Sequence, residues 1–279
     1  MPSNLPPFVK YGKLKSIDLN EISNINHEPF YVFEKVDGGN CQVRNLGSEI
    51  MPGSKANFLK KPFLERAEWF RKLNAWARSN PSLFNLDERT VLFGEWIGNH
   101  TIDYDPRHLD QFLMIDLFDL NSNRFVDFNL ARSYVHSLGV NGLNYAEPIH
   151  HGKVTKSLIE NLLLENSSLY RGPKEGVVLK NYDSGNRFKI YHPDFSERLR
   201  NRDGSIDFLT PMRFRKSIFR LSENTRSGES ISPSDVVYSV MQDISAEEGV
   251  KVNSYDVSDR LFDHINKGKL HSALRLLNL

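Results

Sequence analysis

The chain has 279 residues, 39% of them hydrophobic and 11% aromatic, and a formal net charge of +1. That length suits one large domain, or a large and a small one, around a substantial core. The composition excludes collagen, coiled-coil and low-complexity chains, and the near-zero charge confines any nucleic-acid-binding surface to a local patch. A single cysteine, Cys41, excludes an internal disulfide framework and suits a reducing compartment. The stretch Met1-Pro2-Ser3-Asn4-Leu5-Pro6-Pro7 has neither the basic nor the apolar region of a signal peptide, and no apolar run is long enough to span a membrane. The expectation is a soluble, cytoplasmic chain without a membrane partner.

In chain order, Phe30–Glu34 and Asn40–Arg44 read as two strands joined by a glycine turn. Residues 62–79 carry a helical stripe of Phe63, Ala67, Phe70, Leu73 and Ala77, with Pro62 near its start. Thr90–Ile97 and Phe112–Leu120 are β-type runs. Asn129–Leu138 reads as a helix ending at Gly139, and Val154–Glu165 as a second. Val177–Lys180 and Arg187–Tyr191 read as paired strands around the turn Tyr182–Asn186. Past His192-Pro193 the β signal fades. A Ser/Gly/Pro-rich stretch at 222–234 precedes helical periodicity through Val236, Val240, Ile244, Val257, Leu261 and Leu270–Leu277. The predicted fold is α+β: a domain of antiparallel sheets flanked by helices over 1–203, then a small helical domain over 204–279.

Five short strings carry chemistry. In Phe33-Glu34-Lys35-Val36-Asp37-Gly38-Gly39-Asn40, a lysine lies between apolar neighbours and precedes an Asp and a glycine pair. A covalent nucleotidyl-lysine needs an amine held at a strand end, with glycines that let a phosphate approach the backbone. The attacking species is the free amine, which burial or nearby cations favour. A surface lysine before a D-G turn would look the same. Glu95 interrupts the apolar run Val91–Gly98, and Asp116 and Asp119 interrupt Phe112–Asp119; charged residues are rare in such runs unless paired or liganded, although a strand-end acid reaching solvent is common. Glu175 and Gly176 open the run Val177–Lys180, where strict alternation puts Lys180 across the pleat from Glu175. Arg187 and Lys189 share a face by the period of two, as in any basic hairpin.

Together the strings give an amine to attack phosphorus, carboxylates for a metal or a ribose, and cations for phosphate oxygens. Mg²⁺ or Mn²⁺ suits oxygen donors, and the chain lacks the Cys/His clustering of a structural zinc site. His150 and His151, being adjacent, read as a loop pair.

Their order and wording resemble the covalent nucleotidyltransferase superfamily of polynucleotide ligases and mRNA capping enzymes over roughly residues 30–195. Within it the chain looks most like ATP-dependent RNA ligases, particularly those that seal nicks in duplex RNA. The resemblance implies an adenylyltransferase (ATP-grasp-like ligase) domain and lysyl-AMP at Lys35. It implies Glu34 at the adenine, Asp37 and Gly38 within the nucleophile motif, and Asn40 near the ribose or metal-bound water. It also implies Glu95 at the ribose, Glu175 with Glu95 at the metal, and Lys180 and Lys189 at the phosphates. Ile115-Asp116 matches a motif that usually offers an aromatic ring to the base; Ile115 would replace stacking by an aliphatic sandwich. The last motif, usually Lys-x-Lys, is Arg187-Phe188-Lys189 or Lys189-Ile190-Tyr191. Lys55 is the expected occupant of a further cationic position, with Arg44 as competitor.

DNA ligases and capping enzymes carry a β-rich OB-fold of roughly a hundred residues after the last motif, whereas the remaining residues here read helical, as in the RNA ligases resembled. Only about thirty residues precede Lys35, so no upstream domain is expected. The stretch Arg198, Arg200, Arg202, Arg213, Arg215, Lys216 and Arg220, with Phe208, Phe214 and Phe219 interleaved, has the make-up of a backbone-binding surface or of a solvated helical face. Arg44, Arg187, Arg213 and Arg215 are the candidate RNA contacts. The expected activity is ATP-dependent joining of 3′-OH and 5′-phosphate RNA ends, by a monomer, on nicked duplex or broken ends; a viral or phage origin is compatible. Alternatives are a minimal DNA ligase or capping guanylyltransferase, an enzyme that only adenylylates ends, and a non-catalytic nucleic-acid-binding module with a degenerate nucleotide pocket.

Overall fold

The computed structural model describes residues 7–60, 64, 67–98, 102–140, 143–196, 199–200, 205–224, 230–270, 273 and 277. They form two compact units, one of residues 1–99 with 103–191, the other of 100–102 with 192–279. The sequence placed its boundary near residue 204.

In the first unit the elements are β1 (Lys15–Ser16), β2 (Pro29–Glu34), β3 (Gly39–Asn45), β4 (Ile50–Ser54), α1 (Glu68–Arg78), β5 (Thr90–Ile97), β6 (Gln111–Asp119), β7 (Arg124–Phe125), α2 (Phe128–Ser137), β8 (Leu143–Tyr145), β9 (Pro148–Lys153), α3 (Lys156–Leu164), β10 (Gly176–Lys180) and β11 (Arg187–Tyr191). They build two sheets. The first has the order β1-β11-β10-β2-β9; the second has β4-β3-β5-β6-β7, with β8 parallel to β6. All other pairings but β1 with β11 are antiparallel.

The two strands around Lys35 do not close a hairpin. β2 pairs with β10 and β9 in the first sheet, and β3 with β4 and β5 in the second. Lys35–Gly38 therefore crosses from one sheet to the other. The glycines are required at the crossing by packing. A Cβ on Gly38 would lie 2.5 Å from the Trp96 carbonyl oxygen, and one on Gly39 2.8 Å from the Trp69 indole. His150 and His151 lie on β9, not in a loop. The helix expected from 62 begins at Glu68; Pro62 and Phe63 lie outside the described residues.

Period-two alternation gives each sheet a core face and a polar face. In the first sheet Phe30, Val32, Val177, Leu179, Phe188 and Ile190 pack with Ile159 and Leu162 of α3. In the second, Cys41, Val43, Leu92, Trp96, Phe112 and Met114 pack with Leu73 and Ala77 of α1 and Ala131 and Val135 of α2. The faces left over carry Tyr31, Phe33, Lys180, Arg187 and Lys189 on one sheet and Asn40, Glu95 and Asp116 on the other, as the cross-strand registers require.

The second unit contains β12 (Leu199–Arg200), β13 (Ile206–Asp207), α4 (Pro211–Asn224), α5 (Pro233–Glu248) and α6 (Ser254–Asn266). Phe214, Ile218, Val236, Val240, Ile244, Val257 and Leu261 form its core. A Ser232–Asp235 capping box starts α5, Pro233 occupies its first turn, and Gly249 ends it at φ +68°.

Gly176 is the tightest backbone contact at the site. A Cβ there would lie 2.2 Å from the Ile190 carbonyl oxygen and 2.9 Å from Tyr191 Cα, both backbone atoms of the neighbouring strand. Gly176→Ala is expected to lower stability by about 1–3 kcal/mol, the usual cost of overpacking; urea unfolding of the two proteins checks it.

Candidate active site

Lys35 follows the last residue of β2. Its backbone N–H donates to the Gly176 carbonyl at 2.9 Å, which extends the β2–β10 ladder past the strand end and fixes the residue beside the start of β10. There Lys35 Nζ meets Glu175 Oε2 at 2.6 Å. The Glu175 carboxylate is fully buried, and Lys35 keeps 17% of its side chain exposed. Tyr191 joins the group. Its ring centroid lies 5.2 Å from Lys35 Nζ and 4.9 Å from Lys189 Nζ, and Lys189 Nζ also donates to its hydroxyl at 2.9 Å. One aromatic ring thus serves both cations, a favourable placement for ammonium groups. The sequence placed Tyr191 in one register of the last motif but gave it no site role, although its place two residues after Lys189 put it on the same face.

A second cluster is buried between the polar faces of the two sheets. Lys180 Nζ donates to the Ile115 carbonyl at 2.7 Å and to Asp116 Oδ2 at 2.9 Å. Arg187 Nη2 and the Tyr11 hydroxyl reach the same Oδ2, each at 2.5 Å, and the Tyr182 hydroxyl reaches Oδ1 at 2.8 Å. The Arg187 guanidinium is held between the Tyr11 and Phe125 rings, 4.4 and 4.0 Å from their centroids, and Lys180 Nζ lies 4.7 Å from the Phe33 centroid. Burial alone would push the Asp116 carboxyl up, but Lys180 and Arg187 outweigh it and hold it below its usual range. For Lys180 burial wins over the attraction of Asp116, and its ammonium is pushed down to about 8.

Register accounts for these positions. Lys180 pairs with Arg187 and Tyr31, and Val178 with Lys189 and Phe33, so these side chains leave one face of the first sheet. On the second sheet Asn40 lies opposite Glu95, and Phe93 opposite Asp116. The β5–β6 register shifts at Phe93/Gly94 and leaves Ile115 as the extra residue of a bulge. Bulges re-aim side chains beside active sites, and this one lets the Ile115 carbonyl and the Asp116 carboxylate serve the same lysine. The Glu95 stem lies against the position where Gly38 lacks a side chain.

The other residues predicted for the site have the following partners. The Glu34 side chain leaves β2 on the face opposite Phe33, next to Val177. It accepts hydrogen bonds from the hydroxyls of Ser167 and Ser168 and the Ser168 N–H, so it anchors the segment before Glu175. Asp37 is buried, and its N–H donates to the Tyr104 hydroxyl at 2.7 Å. Lys55 is exposed in the turn after β4, beyond the Ser54–Cys41 pair and so at the Asn40 end of the sheet. Arg44 lies farther along β3 and is 4% exposed; its Nη1 donates to the Pro7 carbonyl.

Three of the four candidate RNA contacts are therefore corrected. Arg44 is buried in the first unit, and Arg187, with 11% of its side chain exposed, is paired there with Asp116. Arg213 is fully buried in the second, with Nη1 3.0 Å from Asp243 and Nη2 2.9 Å from Glu248. A guanidinium placed in a core needs carboxylates, and each hydrogen bond made to one is unavailable to a phosphate. Arg215 is partly exposed and donates to the Lys269 carbonyl. Arg198 and Arg202 lie outside the described residues, and so does the side chain of Arg200.

A profile of the RNA ligase family matches residues 28–191. The chain belongs to the RNA ligase family. The match ends at Tyr191, the residue over whose ring Lys35 and Lys189 lie. Among solved structures, the Naegleria gruberi RNA ligase with pyrophosphate is 21% identical at a TM-score of 0.54, covering 67% of this chain and 57% of that one. Two variants of the same ligase solved with ATP and Mn give TM-scores of 0.54 and 0.55 at 19% and 20% identity, each covering 68% of this chain and 57% and 58% of theirs. At that identity the likeness establishes the fold, and the chain spans under three fifths of those ligases. No curated protein matches the sequence. Among the described residues, no helix is long and apolar enough to cross a membrane.

Two outcomes follow from the buried cluster. Asp116→Ala leaves two cations without their carboxylate and is expected to cost about 3–5 kcal/mol, read by urea unfolding. Lys180 is cationic below about pH 8 and neutral above it. A reaction that uses that charge should slow as pH rises through about 8; Lys180→Arg, charged throughout, should remove that limb from the pH–rate profile.

Proposed function

We propose that this chain is an ATP-dependent RNA ligase that joins a 3′-hydroxyl to a 5′-phosphate through a lysyl-AMP intermediate. The observation that carries the reading is the Lys35–Glu175 pair at 2.6 Å beside Tyr191 and Lys189, in a chain of the RNA ligase family.

In the first step Lys35 Nζ gives up a proton, for which Glu175 is the acceptor within reach, and attacks the α-phosphorus of ATP; the bond to the oxygen bridging to the β-phosphate breaks, and pyrophosphate leaves. Glu175 lies within hydrogen-bond reach of the attacking amine and holds it in one position. Lys189 and Lys180 stand on the same sheet face and offset the charge that builds on the phosphate oxygens. In the second step the AMP passes from Lys35 to the 5′-phosphate of the polynucleotide. In the third the 3′-hydroxyl attacks that activated phosphate and AMP is released.

No three His, Cys, Asp or Glu side chains gather into a metal-binding group among the described residues. Glu95, Asn40 and Glu175 nonetheless offer only oxygen donors, which fits a Mg²⁺ or Mn²⁺ ion shared with substrate phosphates, since Mg²⁺ takes one or two carboxylates and keeps several waters. Glu95 and Glu175 would hold it, and its chemistry there is neutralisation of phosphate charge. Lys55, exposed at the Asn40 end of the second sheet, is the better placed of the two candidate cations to meet a phosphate. Glu34 acts through the Ser167–Ser168 segment. We further propose that the substrate is nicked duplex RNA, that a ribose 2′-hydroxyl distinguishes it from DNA, and that the enzyme works as a monomer in the cytoplasm, where the buried Cys41 stays reduced.

The test is incubation with ATP labelled at the α-phosphate and Mg²⁺ or Mn²⁺, followed by denaturing electrophoresis. Wild type should retain label through denaturation, and Lys35→Ala should retain none. Absence of label from both ATP and GTP in folded wild type would overturn the reading. Label from GTP alone would indicate capping chemistry, and sealing of DNA nicks in preference to RNA a DNA ligase.

A further inference from the structure

The N-terminal segment spans both sheets. Arg44 Nη1 on β3 donates to the Pro7 carbonyl at 3.1 Å, and Gln42 Nε2 to the Val9 carbonyl at 2.7 Å. Phe8 packs edge-on against Phe58 at 5.0 Å between centroids. Tyr11 lies against Phe93 and Phe125 of the second sheet, 5.0 and 5.7 Å away. The chain then reaches the first sheet, where Ser16 of β1 is registered with Lys189 and the Ile17 N–H donates to the Lys189 carbonyl at 3.1 Å. Residues 7–17 thus cross from the polar face of one sheet to the edge strand of the other, and Tyr11 marks the crossing.

The Tyr11 hydroxyl is at the centre of the ion cluster. It donates to Asp116 Oδ2, the oxygen that also takes Lys180 and Arg187, and it accepts from Arg187 Nη2. A buried carboxylate holds its geometry only while its donors fill their places. The site of the Lys180 ammonium is set from the same oxygen.

We propose that Tyr11 is a positioning residue for nucleotidyl transfer: its hydroxyl fixes Asp116, and through Asp116 the ammonium of Lys180, while residues 7–17 tie together the two sheets that carry them. Tyr11 itself does not touch the nucleotide. This inference rests on the ligase reading, and the experiment separates the two.

The full chain is assayed for single-turnover adduct formation with α-labelled ATP and Mg²⁺ as wild type, Tyr11→Phe and Phe8→Ala, with rates taken per folded molecule from thermal denaturation. Tyr11→Phe should lower the rate at saturating ATP about tenfold and leave the half-saturating ATP concentration within twofold. Phe8→Ala, which loosens the same segment without touching Asp116, should lower the melting temperature and leave the rate per folded molecule unchanged. Should Tyr11→Phe fail to fold, Tyr11→Leu, which likewise lacks a donor, is read the same way. A Tyr11 variant with wild-type rate overturns the proposal. So does an effect confined to half-saturation, which would make the segment a nucleotide contact, or an equal rate loss in Phe8→Ala, which would make it a scaffold only. A wild type without adduct sinks the ligase reading instead.

Discussion

The architecture depends on one buried carboxylate. Asp116 stands on the second sheet and receives Lys180 and Arg187 from the first, with Tyr11 and Tyr182 completing its shell. Each of the three charges is costly to remove from water, and only their mutual arrangement offsets that cost. The two sheets therefore cannot separate or slip at this point without stranding a charge, which gives the surrounding site a fixed frame.

That frame explains why the chain crosses between sheets at Lys35. The amine is held by a strand-like hydrogen bond on one side, and the glycines that follow pack against Trp96 and Trp69 on the other. Glu175, carried by the neighbouring strand, arrives at the amine because Gly176 lets β10 and β11 approach to backbone contact. Catalytic geometry here comes from close packing of main chain, a more rigid support than a loop would give. The polar groups divide into two sets with different duties. Lys35, Lys189 and Tyr191 stay partly exposed, with Glu175 buried behind Lys35, whereas Asp116, Arg187 and Tyr11 engage one another and hold the frame. Lys180, buried and bonded to Asp116, belongs with the second set.

Arginine was the residue type most often misread. Arg44, Arg187 and Arg213 looked like phosphate contacts because a guanidinium in a sequence carries no sign of its burial. The signal for Arg213 was present: it lies on a helix beside apolar Met212 and Phe214, and acids recur at Asp243, Glu247 and Glu248, but their meeting depends on how two helices pack. The same holds for Tyr11, whose partners Asp116 and Arg187 are more than a hundred residues away in the chain.

The sequence by itself determined the elements and the inventory. Periodicity located the strands at Thr90–Ile97 and Arg187–Tyr191 to the residue, because alternation records which face meets a core. The order of Lys35, Glu95, Asp116, Glu175, Lys180 and Lys189 was legible because each interrupts or borders an apolar run. Tertiary structure decided which strands pair, that the two around Lys35 belong to different sheets, and which charges face a ligand and which face one another. Those outcomes depend on contacts between residues distant in the chain, and local propensity carries no information about them.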